Sequence, residues 1–243
     1  MVLLRGGRTV YGQALGILML DTAFPRPPGD VGNALTWPFP TQYRIVAGAH
    51  QQRIMGAEPD LTLLAPFLAA ARDLEAHGVR AITTSCGFLS AFHQELAAAV
   101  SVPMLTSSLL QVPLASRLLR PDQTVAILTE RPHLTDRHFA GVGWSPRDVP
   151  IVVASLPDDA VFPTVCIDNG LDADTSILEA EMVELARTTV REHPDVGALV
   201  LECTNFVPYS QAMRRAVNLP IYDLYTLVTH TYLATVGHDF TRG

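Results

Sequence analysis

The sequence predicts an α/β protein of two similar lobes, each a parallel sheet flanked by helices, related by pseudo-two-fold symmetry with the site between them. Three observations predict this. Apolar runs of strand length alternate with helical patterns along all 243 residues, the signature of parallel sheets with crossover helices. Residues 78–110 (GVRAITTSCGFLSAFHQELAAAVSVPMLTSSLL) and 195–227 (DVGALVLECTNFVPYSQAMRRAVNLPIYDLYTL) align without a gap, setting Cys86 over Cys203, Gln94 over Gln211 and Pro103 over Pro220. With 48% hydrophobic and 17% charged residues, the chain has the composition of a core-forming globular protein rather than a disordered one.

In chain order, the strands are expected at residues 15–20, 79–85, 103–105, 124–129, 150–154, 197–202 and 220–222. Residues 61–77 carry Leu61, Leu64, Leu68 and Ala71 at helical spacing. Residues 174–193 read as the clearest helix, with a stripe of Leu178, Met182, Leu185 and Ala186. Asp172 and Asp174 lie at its start and Arg187, Arg191 and His193 toward its end, as the helix dipole favours. Residues 24–40 (FPRPPGDVGNALTWPFP) hold too many prolines for a regular element, yet include Phe24, Trp37 and Phe39. They read as a long ordered loop, serving either as a lid or as an excursion that packs its own aromatics. The lobes divide as 1–116 and 117–243, with the last helix free to pack on the first lobe.

Composition also sets exclusions. A net charge of −7 without a basic run argues against nucleic acid or an anionic membrane as partner. Apolar stretches are too short to span a bilayer, and no signal peptide is apparent. Three cysteines, Cys86, Cys166 and Cys203, point to free thiols and a reducing, cytoplasmic setting. The histidines form no metal pattern, and neither metal nor cofactor is expected. The expected partner is a small-molecule carboxylate or amino-acid-derived compound, and the chain is compatible with a homo-oligomer.

Each paired cysteine ends a strand-forming run and precedes a helix start, where sheets of this kind bind ligands. Backbone N–H groups there hold anions and are expected to lower a thiol pKa. A lone cysteine reads as a small buried hydrophobe, whereas a matched pair in a repeat reads as chemistry: two thiols facing one substrate from opposite sides. Cys166 has no counterpart in the first half and reads as structural. Glu202, one residue before Cys203, is expected on the other face of its strand.

Cys203-Thr204-Asn205-Phe206, followed by Pro208, resembles the second-cysteine motif of the aspartate/glutamate racemase superfamily, which includes hydantoin racemases and maleate isomerases. Leu20-Asp21-Thr22 is similar to the segment that ends the first strand in glutamate racemases. The resemblance covers both halves. It implies a cofactor-independent isomerase, a racemase or epimerase of an amino acid or amino-acid derivative, in which Cys86 and Cys203 remove and return a proton. Asp21 would support that transfer. Thr22 and Thr204 would bind a carboxylate or carbonyl, and Asn33, Ser85, Gly87, Phe88 and Asn205 would complete the substrate site. Gly87-Phe88 and Asn205 replace polar or titratable residues of glutamate racemases, which points away from plain glutamate. Two alternatives stand beside this reading: a maleate-isomerase-like enzyme of small dicarboxylates, and a two-lobed protein that binds a carboxylate without chemistry.

Overall fold

Leu15–Leu20 forms β1, buried along its whole length, as its unbroken apolar run requires of a strand covered on both faces. In the computed structural model, which describes residues 3, 6–56 and 59–237, β1 pairs in parallel with β2 (Thr41–Val46) on one side and β3 (Ala81–Thr84) on the other. The short β4 (Met104–Leu105) extends the sheet to the order β2-β1-β3-β4. Helices α1 (Gln51–Ile54), α2 (Leu64–Ala76), α3 (His93–Ala98) and α4 (Val112–Leu118) connect this half.

The second half repeats the plan. β5 (Thr124–Thr129), β6 (Ile151–Ser155), β7 (Val196–Leu201) and β8 (Ile221–Tyr222) form a second parallel sheet, ordered β6-β5-β7-β8. Between and after these strands lie α5 (Asp136–Gly141), α6 (Phe162–Cys166), α7 (Thr175–Glu192), α8 (Ser210–Val217) and α9 (Leu224–Val236). The aligned stretches match element for element. A 3-10 turn over Gly87–Phe92 runs into α3, and its counterpart over Thr204–Tyr209 runs into α8.

Local signals account for the boundaries. Asp174 caps α7 by accepting from the Ser176 amide at 2.9 Å, and α8 ends where Asn218 turns left-handed at φ 54°. Asp60 caps the 3-10 turn Leu61–Leu63 that leads into α2, so the expected helix at 61–77 begins as a tighter turn. β2 was not expected. It is an edge strand, mostly half-exposed, and Gln42 and Arg44 interrupt any apolar run that would mark it.

The lobes interlock. Leu109, Val112 and Ala115, in and just before α4, pack with Val125 and Ile127 of β5, while α9 returns to the first sheet, where Leu224, Leu227 and Val228 join Leu15 and Ile17. The 24–40 loop ties the halves together. Phe24 enters the core of the second lobe, and Trp37 and Phe39 stack on Tyr225 and Tyr232 of α9 at 5.7 and 4.1 Å. Gly29 lies so close to Pro208 that a Cβ would come within 2.8 Å of the Pro208 Cα, at a φ of +102° that itself favours glycine. Among the described residues, no helix is long and apolar enough to cross a membrane.

Leu224 is 1% exposed in the core shared by α9 and the first sheet. Leu224→Ala is expected to lower the unfolding free energy by about 2–5 kcal/mol, read by urea denaturation.

Candidate active site

The carboxyl ends of the two sheets face each other across one small cavity. Cys86 stands immediately before the 3-10 turn after β3, and Cys203 stands before the corresponding turn after β7. Both line the cavity, together with Ser85, Gly87, Phe88, Thr204 and Asn205. Gln51 and Met55, from α1 and its end, and Glu130 and Glu202 complete the wall. The cavity measures about 10 Å³, room for about one water molecule. Met55 also lines a neighbouring outer cleft of about 330 Å³, together with Gln52, Arg131, His133 and Asp168.

Buried hydrogen bonds hold the facing strand ends in register. Thr204 Oγ1 donates to the Ser85 carbonyl at 2.7 Å, directly across the lobe interface. Ser108 Oγ donates to the Leu201 carbonyl, and the Leu20 amide donates to Ser85 Oγ at 2.8 Å. Thr84 Oγ1 donates to the carbonyls of Cys86 and Thr106, which fixes the turn that carries the first thiol.

The two carboxylates belong to the second lobe. Glu130 follows β5 as Asp21 follows β1, and Glu202 occupies the repeat position of Ser85. Glu202 Oε2 accepts from Thr129 Oγ1 at 2.7 Å. Glu130 Oε2 accepts from Cys203 Sγ at 3.5 Å. Neither Oε1 has a hydrogen-bond partner among the described residues. Burial pushes Glu130 up to about 8 and Glu202 up to about 7. Gly87 makes room for this arrangement, since a Cβ there would lie 2.2 Å from Glu202 Oε1 and 2.3 Å from its carbonyl oxygen.

Two expectations are corrected here. The thiols are not activated by their surroundings: burial first, then the neighbouring glutamates, pushes both Cys86 and Cys203 well up. Backbone N–H groups of Phe88 and Leu89 at Cys86, and of Asn205 at Cys203, pull the other way and lose to desolvation. Glu202 does not face away from the cysteine. β7 ends at Leu201, so strand alternation no longer governs the next residue, and its carboxyl lies over Gly87.

The structure brings Cys86, Cys203, Ser85, Gly87, Phe88, Thr204 and Asn205 together, and it leaves three of the named residues off the cavity wall. Asp21 accepts from the Gly48 amide at 3.1 Å. Thr22 Oγ1 accepts from Arg26 at 2.8 Å, and Arg26 is ion-paired with Asp30. Asn33 spends its amide within the loop, accepting from the Leu35 amide and donating to the Arg26 carbonyl. Cys166 is buried in the core of the second lobe. Glu130, Gln51 and Met55 were missed. Glu130 had a signal, its match to Asp21 after the first strand of each half, whereas α1 had none.

Two outcomes follow from the buried carboxylates. Gly87→Ala forces Glu202 out of place and is expected to destabilise the fold by at least about 1–3 kcal/mol, read by urea denaturation. Folded Glu202 binds its proton more tightly than the unfolded chain does. Its contribution is therefore fully present below the unfolded value and lost as pH rises through about 7. Glu202→Gln should flatten the fall in Tm between about pH 5 and 9, and an unchanged slope would remove Glu202 as its source.

No family model matches the chain. It is 30% identical over 217 residues to a dimethylsulfoniopropionate lyase of Durusdinium sp. clade D, covering 86% of this chain and 71% of that protein. It is 29% identical over 222 residues to dimethylsulfoniopropionate lyase 7 of Emiliania huxleyi (strain CCMP1516), covering 88% of this chain and 64% of that one. The chain spans 57% of the length of lyase 3 from the same organism. Among solved structures, a glycine-to-cysteine mutant of arylmalonate decarboxylase superposes with a TM-score of 0.61 at 16% identity, covering 92% of this chain and 93% of that one. A Bacillus anthracis glutamate racemase gives 0.56 at 13% identity, covering 93% and 83%. The Picrophilus torridus aspartate racemase gives 0.56 at 13%, covering 92% and 94%. These neighbours share the fold. The five curated relatives named as lyases overturn the expected amino-acid racemase, its isomerase class and its link to amino-acid metabolism, along with the dicarboxylate-isomerase and binding-only alternatives. The fold is that of the aspartate/glutamate racemase superfamily, and the chain belongs to the dimethylsulfoniopropionate lyase family.

Proposed function

We propose that this chain is a lyase that cleaves dimethylsulfoniopropionate, or a close sulfonium carboxylate, by β-elimination. A base removes a proton from the carbon beside the carboxylate. The electron pair of that C–H bond becomes the new C=C bond, the C–S bond breaks, and its pair leaves on sulfur as dimethyl sulfide. Acrylate remains, and the proton passes from the base to solvent.

The observation that carries this reading is the contact between Cys203 Sγ and Glu130 Oε2 in the cavity wall. Once ionised, Glu130 is placed to take the thiol proton through this contact, leaving Cys203 as the thiolate base. Cys86, on the first-lobe wall and without such a partner, stays a thiol and donates to the carboxylate as charge builds there. Asn205, buried in the cavity wall, carries a side-chain NH2 that can donate to that carboxylate. Thr204 already donates to Ser85 and Thr22 is held by Arg26, so neither is assigned that role. Asp21 has none in this mechanism. The substrate is larger than the closed cavity, and the unbranched Met55 side chain is the wall that must swing to admit it from the outer cleft.

The test is dimethyl sulfide in the headspace and acrylate in solution after incubation with dimethylsulfoniopropionate. Equal amounts of both are expected from the wild type, and their absence sinks the reading. Cys203→Ser should lower kcat by about 10²–10⁴-fold. Cys86→Ser and Asn205→Ala should retain more activity, and a Cys203→Ser enzyme as active as wild type would move the base elsewhere.

A further inference from the structure

We propose that Glu130 and Glu202 together seat the substrate's onium cation, so that the second-lobe wall of the cavity selects sulfonium and quaternary ammonium carboxylates over carboxylates of the same shape that lack the cation. The identity of the cation rests on the lyase reading; the existence of a cation seat does not.

Both carboxyls are 1% exposed and line one cavity. Neither forms an ion pair among the described residues, and each leaves one oxygen without a partner. Two buried acids with no positive charge against them are costly unless protonated or matched by a cation from outside. The first lobe provides no such pair. Its equivalents are Ser85, and Asp21, which is bound to the Gly48 amide away from the cavity wall. The cavity is therefore electrically lopsided, and a zwitterion entering it has one preferred orientation. Its cationic end lies against Glu130 and Glu202. The remaining walls include Met55 and Phe88, whose apolar surfaces suit methyl groups on a cation that has no N–H to donate.

The groups that bear on the pair are the thiols of Cys86, Cys166 and Cys203, with Arg131 pulling Glu130 down and Asp168 pushing it up. Burial outweighs Arg131. A bound cation should favour the ionised carboxylates, so binding near neutral pH releases protons.

The experiment compares 3-(trimethylammonio)propionate with 4,4-dimethylpentanoate, the isostere that keeps the carboxylate and lacks the cation, by titration calorimetry in two buffers of different ionisation enthalpy. Wild type is expected to bind the cation at least about tenfold more tightly, with proton release, and the preference should grow from about pH 6 to about pH 9. Glu130→Gln and Glu202→Gln should each cut the preference below about threefold while the isostere binds as before. Equal binding in the wild type, binding of neither compound, or a preference intact in both variants overturns the proposal. The wild-type comparison decides the matter even if a variant fails to fold. A cation preference without dimethyl sulfide formation would sink the lyase reading and leave the seat standing; lyase activity without the preference would do the reverse.

Discussion

Two carboxyl groups buried without a cation are the constraint on which the arrangement of the site depends. Glu130 and Glu202 each place an unpartnered oxygen in a cavity of about one water, between lobes otherwise filled with apolar side chains. Burial of that kind is tolerated only if neighbours make room and supply hydrogen bonds. Thr129 supplies one bond to Glu202, Cys203 supplies one to Glu130, and Gly87 gives up its side chain so that the Glu202 carboxyl fits over it. The bond from Thr204 to Ser85 then holds the two strand ends at the spacing this packing needs.

The fold was legible because its signals are periodic and local. Fully buried strands such as β1 and β7 are continuous apolar runs, and the α7 stripe and Asp174 cap are written in the chain. The repeat held down to the bounds of its 3-10 turns. β2 escaped because an edge strand needs no apolar run. The site was legible where the repeat placed a cysteine at each strand end. It was illegible where residues meet only across the lobe interface: nothing near Glu202 in the sequence reveals that Gly87 lies beneath it. Asp21 was drawn in by resemblance to a motif, while its counterpart Glu130, in the other half, is the one that reaches the cavity.

The symmetry of the scaffold and the asymmetry of its chemistry explain how one fold serves racemases, a decarboxylase and this lyase family. Racemisation, decarboxylation and β-elimination of carboxylates all develop negative charge on the carbon beside a carboxylate, and they differ in where the electron pair goes next. A pair of facing thiols alone does not settle that outcome. A leaving group does, and a sulfonium is an excellent one because it departs neutral. In this site the acids stand on one side only, with Glu130 and Glu202 on the second-lobe wall and Ser85 on the first.

On the proposed reading, that asymmetry would also let a bound cation activate thiols that burial alone holds neutral. In the closed cavity, burial holds both thiols and both carboxyls toward their neutral forms. An arriving cation reverses the balance for every group beside it, because it offers each anion the counter-charge the protein withholds. If Glu130 then takes the Cys203 proton, the negative charge moves from Oε2 to Sγ, the two atoms already in contact. On the proposed reading, the base would be generated by the substrate it attacks, and only while that substrate is bound. A carboxylate of the same shape without the cation would meet a site that has no reason to ionise.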